Sequence, residues 1–346
     1  MQSASWDGES FLTRVDPETG AWIFVALHSS RLGPASGGTR MIAYPDLAAA
    51  RSDAMRLAAG MTYKWAAAGF AGGGGKGVIA APAGLSAASR AALLRRYGSL
   101  VRELSGRFWT GADAGTTAQD MDVIAETGAP FVFSRTPEHG GAGGSGTWTA
   151  LGVFTTIQTV CGRLFGDASL SERHVLVQGI GSVGYPLIER LRDAGARVCY
   201  TDVAPGASGR FSGAARIAFV PPEDVFETPC DVFAPCALGA VLNSQTIPQL
   251  RCRAVVGAAN NQLSRPEDAD LLRGRGILYA PDFVVNAGGA IAITGIEALG
   301  WKAERADREV RAIAQTLLRV MDLSERDGIS TDAAARRIAE DRLAAG

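Results

Sequence analysis

The sequence predicts an α/β protein of two domains, each built on a mostly parallel sheet. Its 346 residues amount to about two domains at roughly 150 residues each. Apolar segments typical of strands alternate with segments of helical period, which favours parallel sheets with helical crossovers. A glycine-rich break, HGGAGGSG at residues 139–146, separates two such series and predicts a hinge, with an ordinary surface loop as the alternative.

Each element follows from apolar periodicity and from β-branched or aromatic content. The first series predicts strands at 21–27, 77–81 (after a glycine run) and 108–110, and helices at 46–59 and 90–104. The second predicts helices at 150–161, 182–194, 303–324 and 331–343, and strands at 174–178, 197–200, 231–234, 254–256 and 276–279. We therefore assign residues 1–134, with a C-terminal helix at about 326–346, to one domain, 147–325 to a doubly wound domain, and 135–146 to the hinge.

Composition narrows the classes of function. The 34 basic and 35 acidic residues give a net charge of −1, which disfavours nucleic-acid binding. The apolar stretch 283–296 is shorter than the roughly 20 residues of a membrane span. We expect no signal peptide, no membrane association and a cytoplasmic location. The five cysteines form no CxxC pair, so we expect reduced structural thiols and no metal site.

A GxGxxG motif lies between an apolar strand and a helix. Its glycines are Gly179, Gly181 and Gly184, with Ser182 and Val183 between the last two. In this context the glycines permit a tight turn, close approach of a pyrophosphate and close packing of helix on strand. The motif predicts a Rossmann-type dinucleotide site at the N-terminus of the helix.

The predicted strand after this helix ends at Asp202, 18 residues beyond Gly184. A carboxylate at that place accepts hydrogen bonds from the adenosine ribose and repels a 2′-phosphate, which favours NAD over NADP. Arg210, eight residues further on, could instead meet a phosphate.

Lysine is rare in this chain, which contains only Lys64, Lys76 and Lys302. Two of them lie in or beside the run GGGGKG at 72–77, where an ammonium with a shifted pKa cannot be replaced by guanidinium. A nucleotide-triphosphate loop would need glycine at 70 and Ser or Thr at 77, but the chain has Phe70 and Gly77. With Asp113, the two lysines instead suggest a site for one small substrate.

Seven sequence blocks carry a resemblance to a known family. They are LGPASGGTR (32–40), MTYK (61–64), GGGKGVI (73–79), WTGADAGTT (109–117), CDVFAPCALG (230–239), GAANN (257–261) and GILYAPDFVVNAGGA (276–290). The chain resembles the glutamate, leucine, phenylalanine and valine dehydrogenases, and phenylalanine dehydrogenase in particular. The resemblance implies a homo-oligomer in which the N-terminal lobe holds an amino acid, the C-terminal lobe holds NAD, and a cleft closes over both.

The resemblance also implies roles for single residues. Lys64 would bind the substrate carboxylate with the backbone of Gly37 and an asparagine of the Asn260/Asn261 pair. Lys76 would be the catalytic base, its pKa lowered by burial and by the charge of Lys64, and Asp113 would exchange protons with the amino group. The residues implied at the dinucleotide are Ala258, Thr149 and Asn286, the last two at the nicotinamide amide.

The implied reaction is oxidative deamination. Hydride passes from the substrate Cα to the nicotinamide, water activated by Lys76 adds to the iminium, and the carbinolamine releases ammonium and a 2-oxo acid. A non-catalytic sensor of a dinucleotide or an amino acid is the alternative from another class.

The side-chain pocket implied by the family bears on the substrate. Ser36 stands where glutamate enzymes need a lysine, which disfavours glutamate. Ser36, Gly111 and Ala290 are small, while Ile293 keeps bulk, and together they predict an aromatic substrate, phenylalanine first. Tryptophan is next because Gly72 could widen the pocket, and leucine or valine remains an alternative.

Overall fold

The computed structural model describes residues 6–237 and 239–346, and the chain divides into two compact units. The first contains the described residues up to Gly144 together with Ile293–Lys302 and Ala339–Gly346. The second contains Ser145–Ala292 and Ala303–Ile338. The division falls within the segment 135–146. Residues 293–302 belong to the first unit and residues 326–338 to the second, unlike the domain limits proposed from the sequence.

Five strands and three helices make up most of the first unit. They are β1 (Ser10–Val15), β2 (Trp22–Ser29), β3 (Ala35–Ile42), α1 (Leu47–Ala68), β4 (Gly73–Ala80), α2 (Ala87–Glu103), β5 (Phe108–Ala112) and α3 (Ala118–Gly128). The sheet order is β1-β2-β4-β3-β5. The pairs β4·β3 and β3·β5 are parallel, whereas β1·β2 and β2·β4 are antiparallel, so this sheet is mixed and not mostly parallel as predicted.

The remaining strands and α-helices lie between Gly146 and Ala345. They are α4 (Gly146–Phe165), β6 (His174–Gln178), α5 (Gly184–Asp193), β7 (Arg197–Thr201), β8 (Ile217–Phe219), β9 (Val232–Pro235), β10 (Ala254–Val255), α6 (Asp268–Gly274), β11 (Leu278–Tyr279), α7 (Asp282–Val285), α8 (Gly288–Leu299), α9 (Ala303–Arg311), α10 (Ile313–Asp327) and α11 (Thr331–Ala345). The helix predicted at 303–324 is thus two helices, broken at Ala312.

The second sheet has the order β11-β10-β9-β6-β7-β8, and all of its strand pairs are parallel. Numbered within the unit, and starting from β8, this is 3-2-1-4-5-6, the order of a dinucleotide-binding doubly wound sheet. The predicted fold class, two α/β domains of which one is Rossmann-type, is confirmed. The switch in strand order lies between β6 and β9, beside the carboxyl end of β6 where the glycine motif begins.

The glycine run is itself part of a strand, which corrects the strand predicted at 77–81. A Cβ at Gly73 would lie 2.2 Å from the Ser29 carbonyl oxygen, and one at Gly74 would lie 2.0 Å from Thr62 Oγ1. Neighbouring chain approaches so closely that only glycine fits. β4 therefore begins four residues earlier than predicted.

Both faces of the first sheet are covered. Ala50, Ala54 and Ala58 recur every four residues along α1 and pack with Phe24 and Val78 on one face. On the other face a cluster forms with side chains of α2 and α3, among them Leu93, Tyr97, Leu100, Met121 and Ile124. The α1 face carries the site described below.

One segment, Asp282–Leu299, has the length and composition of a membrane span. It comprises α7 and α8, and 67% of it is buried within the protein. Burial of this extent is what a core helix shows.

Candidate active site

Lys76 lies in the middle of β4, and the strand alternation decides which way it faces. Gly77 faces α2, since a Cβ there would lie 2.1 Å from the Tyr97 hydroxyl. Lys76 and Val78 therefore face α1. Lys76 is 4% exposed, and its Nζ donates to Asp113 Oδ2 at 2.8 Å. The structure thus brings together the two residues predicted to be catalytic.

Asp113 follows β5 directly and reaches Lys76 because residue 38 is glycine. A Cβ at Gly38 would lie 2.7 Å from the Asp113 Cβ. The turn after the strand is fixed by Thr116, whose Oγ1 accepts from Asp113 N at 2.9 Å and lies 2.8 Å from the Thr39 carbonyl oxygen. Oδ1 of Asp113 accepts no hydrogen bond from the part of the chain that the structure describes. One carboxylate oxygen is therefore available to a ligand.

Burial and charge act in opposite directions on this pair. Burial is the largest influence on Lys76 and lowers the pKa of its ammonium, although the Asp113 carboxylate opposes the change. Burial alone would raise the pKa of Asp113, but the charges of Lys76 and Arg40 outweigh it and lower the pKa to about 2. The positive charge of Arg40 also lowers the pKa of Lys76, and the contribution that the sequence analysis expected from Lys64 stays a prediction.

Arg40 was not predicted from the sequence, although it contacts the same carboxylate. Its Nε donates to Asp113 Oδ2 at 2.9 Å, and its Nη1 donates to Asp53 Oδ2 at 2.8 Å. Tyr44 also donates to Asp53 Oδ2, at 2.7 Å. Arg40 ends the block LGPASGGTR, but that it shares a face with Lys76 becomes evident only once β3 is paired with β4.

Lys64 is half-buried on α1, three residues after Met61, and residues three apart share a helix face. A Cβ at Gly37 would lie 3.2 Å from Met61 Cγ and 1.9 Å from the Gly75 carbonyl oxygen. Gly37 and Lys64 are therefore on facing sides of β3 and α1. The roles proposed for them stay predictions.

Two glycines that were expected to enlarge a side-chain pocket are closely covered. A Cβ at Gly111 would lie 2.7 Å from Ser134 Oγ, and one at Gly72 would lie 3.4 Å from the Trp65 ring. The Ser134 hydroxyl occupies the space beside Gly111, whereas a Cβ at Gly72 would be in ordinary van der Waals contact with the Trp65 ring. Ser36 is buried, and its carbonyl accepts from Trp65 Nε1 at 3.3 Å. Ile293 is buried in the first unit, and Ala290 is half-buried in the second.

In the second unit the glycine motif follows β6. Gly179 has φ +96, and a Cβ at Gly184 would lie 1.8 Å from the Gly179 carbonyl oxygen, so both positions require glycine. A Cβ at Gly181 would meet nothing within 4 Å, which leaves the backbone open to a ligand. Ser182 is exposed, and Val183 precedes the first turn of α5.

Asp202 follows β7 and is tied to the same loop. Its Oδ2 accepts from Ile180 N at 2.8 Å, and its Oδ1 accepts from Ala204 N at 2.8 Å. The carboxylate thus stands beside the turn between Gly179 and Gly181. Together with the open backbone at Gly181, this donor and acceptor set fits a dinucleotide with an unmodified ribose.

Three residues predicted to hold substrate or nicotinamide form a cluster. Asn286 Nδ2 donates to the Ala258 carbonyl oxygen at 3.1 Å and to Asn260 Oδ1 at 2.8 Å. Asn286 Oδ1 is buried and has no hydrogen-bond partner among the described residues. An unsatisfied buried acceptor is costly unless a ligand donates to it, as a carboxamide NH₂ would.

Thr149 and Asn261 complete the set of predicted residues. The Thr149 hydroxyl donates to the Ser145 carbonyl oxygen at 3.0 Å and would lie 2.6 Å from a Cβ at Gly289, beside Ala290. Asn261 adopts φ +53, the left-handed region that asparagine tolerates better than most residues. Their functional roles stay predictions.

Comparison with known proteins identifies the class. The model of the Glu/Leu/Phe/Val dehydrogenase dimerisation domain matches residues 18–129, and that of Glutamate/Leucine/Phenylalanine/Valine dehydrogenase matches residues 206–345. The chain belongs to this family and is an amino acid dehydrogenase, an oxidoreductase.

Individual relatives act on different amino acids according to their names. Leucine dehydrogenase of Bacillus cereus is 41% identical over 98% of this chain and 92% of its own length. Phenylalanine dehydrogenase of Caldalkalibacillus thermarum is 39% identical over 95% of this chain and 89% of its own. The crystal structure of L-tryptophan dehydrogenase from Nostoc punctiforme shares 38% identity and a TM-score of 0.83 over 98% of this chain and 96% of that one. The family prediction is confirmed, but a particular likeness to phenylalanine dehydrogenase is not.

Proposed function

We propose that this protein oxidatively deaminates an L-amino acid with an apolar side chain, using NAD, and catalyses the reverse reductive amination. Lys76 is the base that activates water, and Asp113 exchanges protons with the amino group. The single observation that carries the proposal is the 2.8 Å contact between the buried Lys76 and the half-buried Asp113, whose Oδ1 accepts no hydrogen bond from the described residues. NAD supplies the hydride acceptor when bound.

The residues of the second unit support the choice of cofactor. Asp202 stands beside the glycine turn, where a carboxylate favours a ribose hydroxyl and repels a 2′-phosphate. Asn286, whose Oδ1 has no hydrogen-bond partner among the described residues, and Thr149 orient the nicotinamide carboxamide. Lys64 and the backbone of Gly37 hold the substrate carboxylate, with Asn260 or Asn261.

The substrate side chain is apolar because Ser36 offers no cation to a second carboxylate. Phenylalanine is the candidate from the sequence, on the small residues Ser36 and Ala290. Leucine is the second candidate, favoured by Ser134, whose hydroxyl occupies the space beside Gly111. The protein acts as a cytoplasmic homo-oligomer, in keeping with the dimerisation-domain match at 18–129.

A substrate panel tests the proposal. Purified protein is mixed with NAD or NADP and phenylalanine, tryptophan, leucine, valine or glutamate, and NAD(P)H absorbance is followed. We expect turnover with NAD and at least one apolar amino acid, and turnover with glutamate at least about a hundredfold lower. Dinucleotide binding without turnover across the panel would contradict the proposal and favour a sensor.

A further inference from the structure

Arg40 occupies a place in the site to which the reaction scheme above gives no function. It is on β3, two residues beyond Gly38, and pairs in register with Val78, the neighbour of Lys76 on the same face of β4. Its side chain is 18% exposed. A guanidinium at this depth is retained only where its hydrogen bonds are satisfied, and the two bonds of Arg40 join two carboxylates.

We propose, on the basis of the proposed function, that Arg40 is a positioning residue: it holds the Asp113 carboxylate through Oδ2 and supplies the positive charge that balances it whenever Lys76 gives up its proton. Arg40 Nε and Lys76 Nζ share one oxygen, at 2.9 Å and 2.8 Å. Because both donors bind Oδ2, Oδ1 remains as the oxygen that exchanges protons with the amino group.

The charge count of the cluster supports this role. Arg56 Nη2 donates to Asp53 Oδ1 at 2.6 Å, so two arginines face the two carboxylates of Asp53 and Asp113. The network is therefore neutral when Lys76 is uncharged. Without Arg40 the pair of carboxylates would keep only Arg56, and the second positive charge would have to be the ammonium of Lys76. Arg40 thus allows Lys76 to be neutral in a buried site without leaving a net negative charge in the cluster.

Geometry explains why this residue is arginine. Nε and Nη1 point to different carboxylates, so one planar group joins β3 to both Asp113 and Asp53 of α1. A lysine is a compact point charge on a flexible stem and lacks the planar fork that fixes both contacts. The charged or titratable side chains on the elements packed around Lys76 are His28 of β2, Arg40 of β3, Arg51, Asp53, Arg56, Tyr63 and Lys64 of α1, and Asp113 directly after β5. Among them Arg40 lowers the pKa of Lys76, and Asp53 and Asp113 raise it.

The test compares variants that remove a positive charge with a variant that removes a negative charge. Arg40→Met should move the acid limb of the kcat/KM profile for deamination upward by at least one pH unit, which is about a tenfold loss of rate at a fixed pH below the limb. Arg40→Lys should lie between wild type and Arg40→Met. Asp53→Asn should move the limb to lower pH. Arg96→Met is the matched control, because it removes an arginine pair with Asp16 elsewhere in the same unit and should leave the limb unmoved.

A second readout does not need activity. The chain has three lysines, so protein labelled with ¹³Cε-lysine gives three side-chain signals, assigned with Lys64→Arg and Lys302→Arg. The signal of Lys76 should titrate at higher pH in Arg40→Met and at lower pH in Asp53→Asn. If Lys76 titrates identically in folded Arg40→Met and wild type, the inference is overturned. If Arg40→Met does not fold, an upward shift or no shift in Asp53→Asn overturns it. If the variants show these shifts but the wild-type protein turns over no amino acid, only the proposed function is contradicted.

Discussion

Replacing Lys76 by methionine removes the amine while keeping most of the side-chain volume. If Lys76 is the general base, deamination should slow by about 10² to 10⁴, or about 3 to 5 kcal/mol in the barrier. The stability cost should be smaller than the roughly 3 to 5 kcal/mol of a stranded buried charge, because Arg40 still donates to Asp113 Oδ2 at 2.9 Å. The variant should therefore fold, and its activity can be interpreted.

Three measurements distinguish loss of the base from loss of the fold and from loss of NAD binding. Initial rates of NADH formation give turnover, thermal unfolding reports the fold, and titration with NAD reports the dinucleotide site. NAD affinity should be unchanged, since the motif at Gly179 belongs to the second unit. Lys302→Met is the matched control, because Lys302 is an exposed lysine of the first unit and should behave as wild type. A folded Lys76→Met with turnover within about threefold of wild type would refute the role of base.

Two further predictions concern stability. Gly37→Ala should lower the melting temperature by several degrees, since its Cβ would lie 1.9 Å from the Gly75 carbonyl oxygen, whereas Gly274→Ala, a helical site with nothing within 4 Å, should be neutral or stabilising by up to about 1 kcal/mol. Equal melting temperatures for the two would contradict the close packing of β3 on β4. Arg96 lowers the pKa of Asp16 from 3.8 to about 2, so the pair stabilises the fold above about pH 4 and this contribution is lost as pH falls towards 2. In urea titrations Asp16→Asn should flatten that part of the stability profile, and an unchanged slope would count against the pair.

Five of the six strands of the second sheet were predictable from sequence because parallel strands buried on both faces appear as short apolar runs, whereas β8 was not predicted. The strand predicted at 174–178 is β6, and the others differ from observation by one or two residues at their ends. The first sheet was harder. β3 contains ASGGTR, and β4 begins with glycines that local propensity assigns to a loop. Their pairing, Ala35 with Gly73, joins segments 38 residues apart, so the reason for the glycines is not local.

The proposed catalytic pair, Lys76 and Asp113, was found through the resemblance, and the structure adds what surrounds it. Asp113 approaches Lys76 because residue 38 has no side chain, a relation between three segments that no single motif expresses. Arg40 and Asp53 were missed for the same reason, since each is an ordinary charged residue until β3, β4 and α1 are packed together. Charge compensation is a property of the cluster and is not visible in the spacing of any block.

The presence of a glycine in the sequence does not by itself predict free volume in a substrate pocket. A glycine lacks a Cβ, and a neighbouring side chain can fill the space that this leaves. At Gly111 that neighbour is Ser134, 23 residues further along the chain and held at φ +59, with its backbone N donating to Glu297 at 3.1 Å. The prediction of an aromatic substrate therefore depends on Ser36 and Ala290. A methylene of pocket space is worth about 1 to 3 kcal/mol. The ratio of kcat/KM for phenylalanine to that for leucine therefore measures whether the small residues Ser36 and Ala290 favour an aromatic ring more than the Ser134 hydroxyl disfavours it.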